Sequence, residues 1–205
     1  MANPAIDASP EFDPLLDKEP ARFVVGIDLG TTNSAVMYVD THSTPWQVES
    51  LPLPQLVAAN QIEIRDTLPS FHFQALPQVA AEGGLALPWH EDHPDWCVGV
   101  MARDEGLKSP GRLIASAKSW LCHSGVDRTA KLLPWQGAAD VEKLSAVDAS
   151  ARYLAHIRDA WQSQSPDCPL ADQDIVITLP ASFDEVAREL TVQAAAEAGL
   201  QSVVL

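Results

Sequence analysis

The stretch VVGIDLGTTNSAV, residues 24–36, decides the fold because it encodes a strand, a turn and a second strand. FVVGID, Phe23–Asp28, is typical of a buried strand, and the LGTTNS that follows is a polar turn containing glycine. AVMYVD, residues 35–40, alternates as a second strand does. With a third strand predicted at WQVESL, residues 46–51, this stretch predicts the start of a meandering sheet.

The turn between the first two strands has the chemistry of a phosphate site. Asp28 ends the first strand, Gly30 allows a ligand to approach the backbone, and Thr31 and Thr32 add hydroxyl groups. Backbone N–H groups and hydroxyls bind phosphate oxygens, while a carboxylate can hold Mg²⁺ through its water shell. The same residue types are common in ordinary hairpin turns, so the pattern alone leaves both interpretations open. It matches neither the P-loop nor the dinucleotide-binding glycine pattern.

The C-terminal third predicts helices alternating with strands. Apolar residues at 3.6-residue spacing predict a helix over residues 147–161. DIVITLP, residues 174–180, predicts a buried strand that its proline ends. Ser182 and Glu185 stand at capping-box spacing before the next helix, Gly199 is the expected stop, and SVVL begins another strand.

The middle of the chain has weaker signals. TLPSFHFQ, residues 67–74, predicts a strand, and the proline- and glycine-containing residues 76–96 predict mostly loop. VGVMARDEG predicts a short helix, and GRLIASAKSWL, residues 111–121, predicts an amphipathic helix beginning after Pro110.

Two histidines and a cysteine in this region invite comparison with a zinc site. His90, His93 and Cys97 have no fourth ligand at zinc-finger spacing, so we expect a partly ordered loop rather than a metal site.

The charge and the cysteines limit the classes of partner and the compartment. Thirteen Lys and Arg against 28 Asp and Glu give a formal net charge of −15, which repels nucleic acid and anionic lipid. No apolar stretch approaches the length of a membrane span, and we expect no signal peptide. Three cysteines without close pairing favour reduced thiols, so we expect a cytoplasmic protein with neither nucleic-acid nor membrane partners.

Four motifs, in order, resemble the DnaK-like family of 70-kDa heat-shock chaperones. GIDLGTTNS resembles the family's first phosphate loop, and TLPSF, residues 67–71, resembles its T-P-S segment. LIASAKSWL, residues 113–121, resembles the segment that carries the catalytic lysine. VITLPASFDEVARELTVQAAAEAGL, residues 176–200, resembles the strand, proline and helix around V-P-A-x-F.

The resemblance implies an α/β, actin-like (ribonuclease H-like) ATPase lobe with a mixed sheet, flanking helices and a smaller inserted subdomain. Residues 22–205 would form the first lobe of a nucleotide-binding domain, with the insertion at about residues 67–145 and the lobe cut short at its C-terminal end. Residues 1–21 precede it, and their prolines and lack of periodicity predict a disordered tail.

The resemblance also implies roles for residues of this sequence. Asp28 would hold hydrated Mg²⁺, and Lys118 would sit near the γ-phosphate as a catalytic group. The cofactors would be ATP or ADP with Mg²⁺. The turn residues that would bind the phosphates are Gly30, Thr31, Thr32 and Asn33, and the residues that would link nucleotide state to a substrate domain are Pro180 and Arg188.

The expected function is ATP binding and hydrolysis by a chaperone-like protein. Its partners at full length would be unfolded client polypeptides and co-chaperones, and residues 1–205 alone are expected to be inactive. A small-molecule kinase of the same actin-like fold would share the Asp-x-Gly-x-Thr turn but not the VITLPASF stretch. A degenerate, non-catalytic scaffold would not need Asp28, Thr31, Thr32 and Lys118 together.

Overall fold

The computed structural model describes residues 21–205 as a mixed α/β structure. The strands are β1 (Phe23–Asp28), β2 (Asn33–Asp40), β3 (Glu49–Ser50), β4 (Leu53–Ala58), β5 (Gln61–Arg65), β6 (Thr67–Pro69), β7 (Phe71–Gln74), β8 (Trp96–Val98), β9 (Leu113–Ala115), β10 (Asp174–Thr178) and β11 (Val203–Val204). The helices are α1 (Pro77–Ala81), α2 (Val100–Lys108), α3 (Ala117–Leu121), α4 (Ala146–Gln164) and α5 (Glu185–Glu197). The predicted tail lies outside the described residues except for Ala21.

The main sheet is mixed, and β1 lies at its centre. β1 pairs in parallel with β10 and antiparallel with β2, which gives the order β11–β10–β1–β2–β3. β6 pairs with the first residues of β2. Phe23, Val25 and Ile27 alternate into the core while Val24 and Asp28 are exposed. The strands predicted from the two ends of the sequence are therefore confirmed as neighbours in one sheet.

Two smaller sheets lie outside the main one. β4 and β5 form a hairpin, and β7 pairs antiparallel with both β8 and β9. A second hydrophobic core accompanies these strands. Its buried members are Leu56, Phe73, Ala75, Leu85, Leu87, Cys97, Met101 and Ala102.

Helix α4 supplies much of the main core and confirms the helix predicted over residues 147–161. It begins with a capping box, in which the Asp148 N–H donates to Ser145 Oγ at 2.9 Å and the Ser145 N–H donates to Asp148 Oδ2 at 2.7 Å. Near its other end, Trp161 meets the Phe23 and Tyr38 rings edge to face, with centroids 5.2 and 5.3 Å away. α4 packs against α5, and no described helix is both long and apolar enough to cross a membrane.

Several predicted strands differ in extent from those observed. The strand predicted over residues 67–74 is broken at Ser70, because β6 pairs with β2 whereas β7 joins another sheet. Only Glu49 and Ser50 of the predicted third strand pair with β2. The hairpin of β4 and β5 was not predicted, although Asn60 supplies its left-handed turn residue, with φ of 58°. Residues 76–96 are mostly loop, as predicted, apart from the short helix α1 and Trp96, with which β8 begins.

The helix predicted over residues 111–121 is wrong for its first half. Residues 110–112 form a 3₁₀ turn, and β9 follows because its backbone pairs with β7. Ser116 then takes a left-handed conformation, with φ of 57°, and only α3 is helical. The apolar residues whose spacing suggested one helical stripe are divided between the strand β9 and the short helix α3.

The cap predicted for the last helix is also wrong. Asp184, rather than Ser182, is the N-cap of α5, and its Oδ1 accepts a hydrogen bond from the Ala187 N–H at 2.8 Å. Glu185 is therefore the first helical residue. The predicted stop is correct, since Gly199 follows the helix with φ of 83°.

Candidate functional site

β1 ends in an exposed carboxylate at the edge of the sheet where β10 also ends. The parallel register places Thr178 beside Asp28, and Thr178 Oγ1 donates a hydrogen bond to Asp28 Oδ1 at 3.1 Å. Ligands of open α/β sheets commonly bind outside the carboxyl ends of the strands. The hydrogen bond orients the Asp28 side chain, and Oδ2 accepts none from the described residues.

The turn after β1 has no room for a side chain at Gly30. Its N–H donates to the Asp28 carbonyl at 3.0 Å, and a Cβ built on Gly30 would lie 1.9 Å from the Asn33 carbonyl oxygen. Gly30 does not have a positive φ. Glycine is required here by the approach of the chain's own backbone.

The hydroxyl-bearing residues of the turn face solvent while its far side is anchored. Thr31, Thr32 and Asn33 are all exposed. The Ser70 N–H donates to the Thr32 carbonyl at 2.8 Å, and the buried Ser34 and Ser70 hydroxyls lie 3.0 Å apart. The turn is therefore tied to the junction of β6 and β7, with its threonine side chains free to meet a ligand.

Lys118 lies in α3 and is buried, with 7% of its surface exposed. Its Nζ is 5.7 Å from the centroid of the Phe183 ring, and no residue within 21–205 accepts a hydrogen bond from it or forms an ion pair with it. Burial lowers the pKa of Lys118, while the negative charge of Asp28 acts in the opposite direction. The charge of Asp28 thus acts on Lys118, although the two side chains form no ion pair.

Pro180 and Arg188, the other two predicted site residues, follow β10 in the chain. Pro180 is exposed just after β10, and its carbonyl accepts a hydrogen bond from the Phe183 N–H at 3.0 Å. Arg188 is half-buried on α5, and its guanidinium makes no hydrogen bond or ion pair within the described part of the chain. Within residues 21–205, no hydrogen bond or ion pair joins Arg188 to Asp28 or Lys118.

The donor set at the end of β1 suits only a metal ion that brings most of its own ligands. No group of three or more His, Cys, Asp or Glu side chains within residues 21–205 is arranged to hold a metal. Asp28 offers one carboxylate beside exposed hydroxyls. Mg²⁺ commonly binds through one or two carboxylates, with water and phosphate oxygens as its other ligands, and fits such a site.

Comparison with curated proteins finds chaperones that are similar to almost the whole of this chain. No family model matches the chain. The chain is 31% identical over 210 residues to "Chaperone protein HscA" of Salmonella agona (strain SL483). The aligned region covers 98% of this chain and 28% of that relative. The chaperones of the same name from Salmonella paratyphi C and Salmonella newport are 31% and 30% identical over the same shares. The chain is a relative of the DnaK-like chaperones.

This relationship confirms the resemblance seen in the four motifs, and the chain spans 28% of the length of these chaperones. The motifs did not reveal two residues that the structure places beside the site. Thr178 ends the VIT stretch, and it could have been found by aligning the ends of the two buried strands. Phe183 lies within the V-P-A-x-F motif, but the sequence does not show that its ring faces Lys118.

Proposed function

We propose that this chain forms part of an ATP-binding and ATP-hydrolysing chaperone with the actin-like fold of the DnaK-like family. One observation supports the proposal: the exposed carboxylate of Asp28 ends β1 directly before the tight Gly30–Thr32 turn, and its charge acts on the largely buried Lys118 side chain. Residues 22–205 would be the first lobe. The second core, formed by residues between Leu56 and Ala102, supports a smaller unit for only the first part of the insertion expected at about residues 67–145, because Ile114, Leu121 and Leu133 belong to the main core.

In this proposal the exposed turn binds the phosphates. Thr31 and Thr32 would donate hydroxyl hydrogen bonds, and backbone N–H groups of the turn would add others. Asp28, oriented by Thr178, would hold hydrated Mg²⁺, which when bound neutralises charge on the phosphate oxygens. Such local positive charge is needed because the chain's formal net charge of −15 repels a nucleotide.

Lys118 would act on the transferred phosphoryl group. Phosphoryl transfer depends mainly on positioning and on stabilising charge at the equatorial oxygens. The largely buried Lys118 side chain has no hydrogen-bond acceptor within residues 21–205, so its ammonium hydrogens are available for those oxygens. Its low-dielectric surroundings strengthen the attraction to a phosphate.

The partners and the coupling are proposals that follow from the family. The full-length protein would act in the cytoplasm on unfolded client polypeptides, together with co-chaperones. Pro180 and Arg188 stay candidates for communicating the nucleotide state, since each lies on the segment that leads from β10 into α5.

Single-turnover hydrolysis of Mg·ATP by the full-length protein tests the role of Lys118. Lys118→Ala should slow hydrolysis by roughly 10²- to 10³-fold, the scale for removing one preorganised donor of charge. The affinity for Mg·ATP should change little, because the turn after β1 is untouched. Lys131→Ala is the matched control, since Lys131 is an exposed lysine of the same chain.

An equal rate for Lys118→Ala and Lys131→Ala would overturn the catalytic role of Lys118. Mg·ATP binding without hydrolysis by the wild-type protein would instead indicate a non-catalytic relative.

A further inference from the structure

The position of Lys118 depends on what packs around it. Its ammonium makes no hydrogen bond within residues 21–205, and α3, which carries it, is only five residues long. α3 packs against α4 and α5, and the Phe183 ring lies against the Lys118 ammonium. A short helix has little stability of its own. Lys118 is therefore placed by its neighbours.

Phe183 belongs to the turn that begins α5. Its N–H donates to the Pro180 carbonyl, and its ring is buried, with 7% exposed. The next residue, Asp184, caps the helix through the Ala187 N–H. The orientation of the Phe183 ring is thus coupled to the position of the Asp184 carboxylate.

Asp184 is also held from the opposite side by Arg128. Arg128 Nη1 donates to Asp184 Oδ1 at 2.7 Å, and Nη2 donates to Oδ2 at 2.8 Å. The Arg128 side chain is 15% exposed. Such a bidentate pair fixes the orientation of both partners as well as their separation. The helix N–H and the guanidinium together lower the pKa of Asp184 to about 2, with Arg128 the larger cause.

Arg128 lies on the segment that follows α3 directly. The contacts therefore close a ring, from Lys118 through residues 122–127 to Arg128, across to Asp184, and through Phe183 back to Lys118. We propose that Arg128 and Asp184 are positioning residues that hold α3 and Phe183 in register so that the Lys118 ammonium stays in place. This inference rests on the function proposed for Lys118.

Asp184→Asn in the full-length protein tests this closed set of contacts. Asparagine is as good an N-cap as aspartate, but it cannot form the bidentate ion pair with Arg128. We expect single-turnover hydrolysis of Mg·ATP to slow by roughly tenfold or more, since small displacements of a catalytic group are costly. The affinity for Mg·ATP should stay within about twofold. Arg128→Lys keeps the charge and loses the fork, so it should show the same effect.

A second measurement does not depend on activity. Competitive labelling of the lysines with acetic anhydride across a pH series, read by mass spectrometry, reports the pKa of each amine. We expect Asp184→Asn to raise the pKa of Lys118 towards that of an exposed lysine, because a loosened α3 admits water. Glu105→Gln is the control, since it removes the exposed partner of Lys108, 2.7 Å away, at another place in the fold.

The two variants combined decide whether the pair acts through Lys118. In the Lys118→Ala background, Asp184→Asn should cause no further loss of hydrolysis. Unchanged labelling of Lys118, or an equal loss in both backgrounds, would overturn the positioning role. If Lys118→Ala alone hydrolyses ATP normally, the proposed function of Lys118 fails, and the labelling result alone decides whether Arg128 and Asp184 position it.

Discussion

Gly30 is the position in the turn after β1 that has no space for a side chain. A methyl group there would lie 1.9 Å from the Asn33 carbonyl oxygen, so the turn must open to accept it. We expect Gly30→Ala to lower the free energy of unfolding by about 1–3 kcal/mol. In the full-length protein we expect it to weaken Mg·ATP binding as well, because the displaced turn carries Thr31 and Thr32.

Gly26→Ala is the matched control on β1, the strand that leads into this turn. Its Cβ would have only one neighbour within 4 Å, the Met37 carbonyl oxygen at 3.8 Å, which is an ordinary contact. Thermal unfolding of both variants, with titration of Mg·ATP, makes the comparison. Equal unfolding temperatures for the two would show that the turn opens without cost, and unaltered affinity in Gly30→Ala would separate the turn from phosphate binding.

At the scale of single residues, the motifs pointed to the charged groups of Asp28 and Lys118 but not to the residues that contact and orient them. Asp28, Gly30 and Lys118 were singled out because their types and spacing match a motif, and their roles stay predictions. Thr178, Phe183 and the ion pair of Arg128 with Asp184 could not be predicted, since each depends on contacts between segments distant in sequence. The sequence explained the glycine at position 30 by the approach of a ligand. The structure explains it by the close approach of the turn's own backbone at Asn33.

At the scale of elements, periodicity was reliable where one element buries one continuous face. The apolar runs of β1 and β10 and the helical spacing of α4 predicted these elements, whose buried residues alternate or recur at helical spacing along the whole element. Periodicity failed over residues 111–121, because the backbone of Leu113–Ala115 pairs with β7 and the left-handed conformation of Ser116 turns the chain. Pairing between distant strands overrides local spacing, and no local pattern reports it.

Two buried histidines join α4 to neighbouring strands and make these contacts sensitive to acid. His156 Nε2 lies 3.0 Å from the Pro54 carbonyl oxygen of β4, and His72 Nε2 of β7 accepts a hydrogen bond from Arg152 Nη1 at 2.6 Å. Burial lowers the pKa of His156 to about 4 and also that of His72 well below its ordinary value. Folding therefore favours the neutral rings.

The unfolded chain binds protons at these histidines from about pH 6.5 downwards, so stability should fall as the pH drops from about 6.5 to about 4. Urea unfolding at several pH values measures this. The side-chain amide of His156→Gln can still donate a hydrogen bond. Over that pH range, the free energy of unfolding of this variant should fall by about 2–3 kcal/mol less than that of the wild type. His42→Gln, at an exposed turn residue, should follow the wild type. Parallel curves for His156→Gln and the wild type would contradict the role of burial.

At the scale of the whole molecule, net charge and exposure both work against tight nucleotide binding by residues 1–205. The chain carries a formal net charge of −15, and Asp28, Thr31 and Thr32 lie exposed at an open edge of the sheet. Small-molecule sites usually bury most of the ligand, whereas this edge contacts only phosphates and metal in our proposal. The phosphate contacts must therefore act largely in water, where each contributes little.

We expect residues 1–205 to bind Mg·ATP with Kd weaker than ~1 mM, equivalent to a binding free energy no better than about −4 kcal/mol. Isothermal titration with Mg·ATP measures the affinity, and Asp28→Asn shows whether any binding found uses the end of β1. Higher salt should improve weak binding slightly by screening the chain's charge, although it also weakens the contacts of Mg²⁺ and Lys118 with phosphate. Micromolar binding that survives Asp28→Asn would place the nucleotide site elsewhere in these residues, because an exposed edge with one carboxylate cannot supply that affinity.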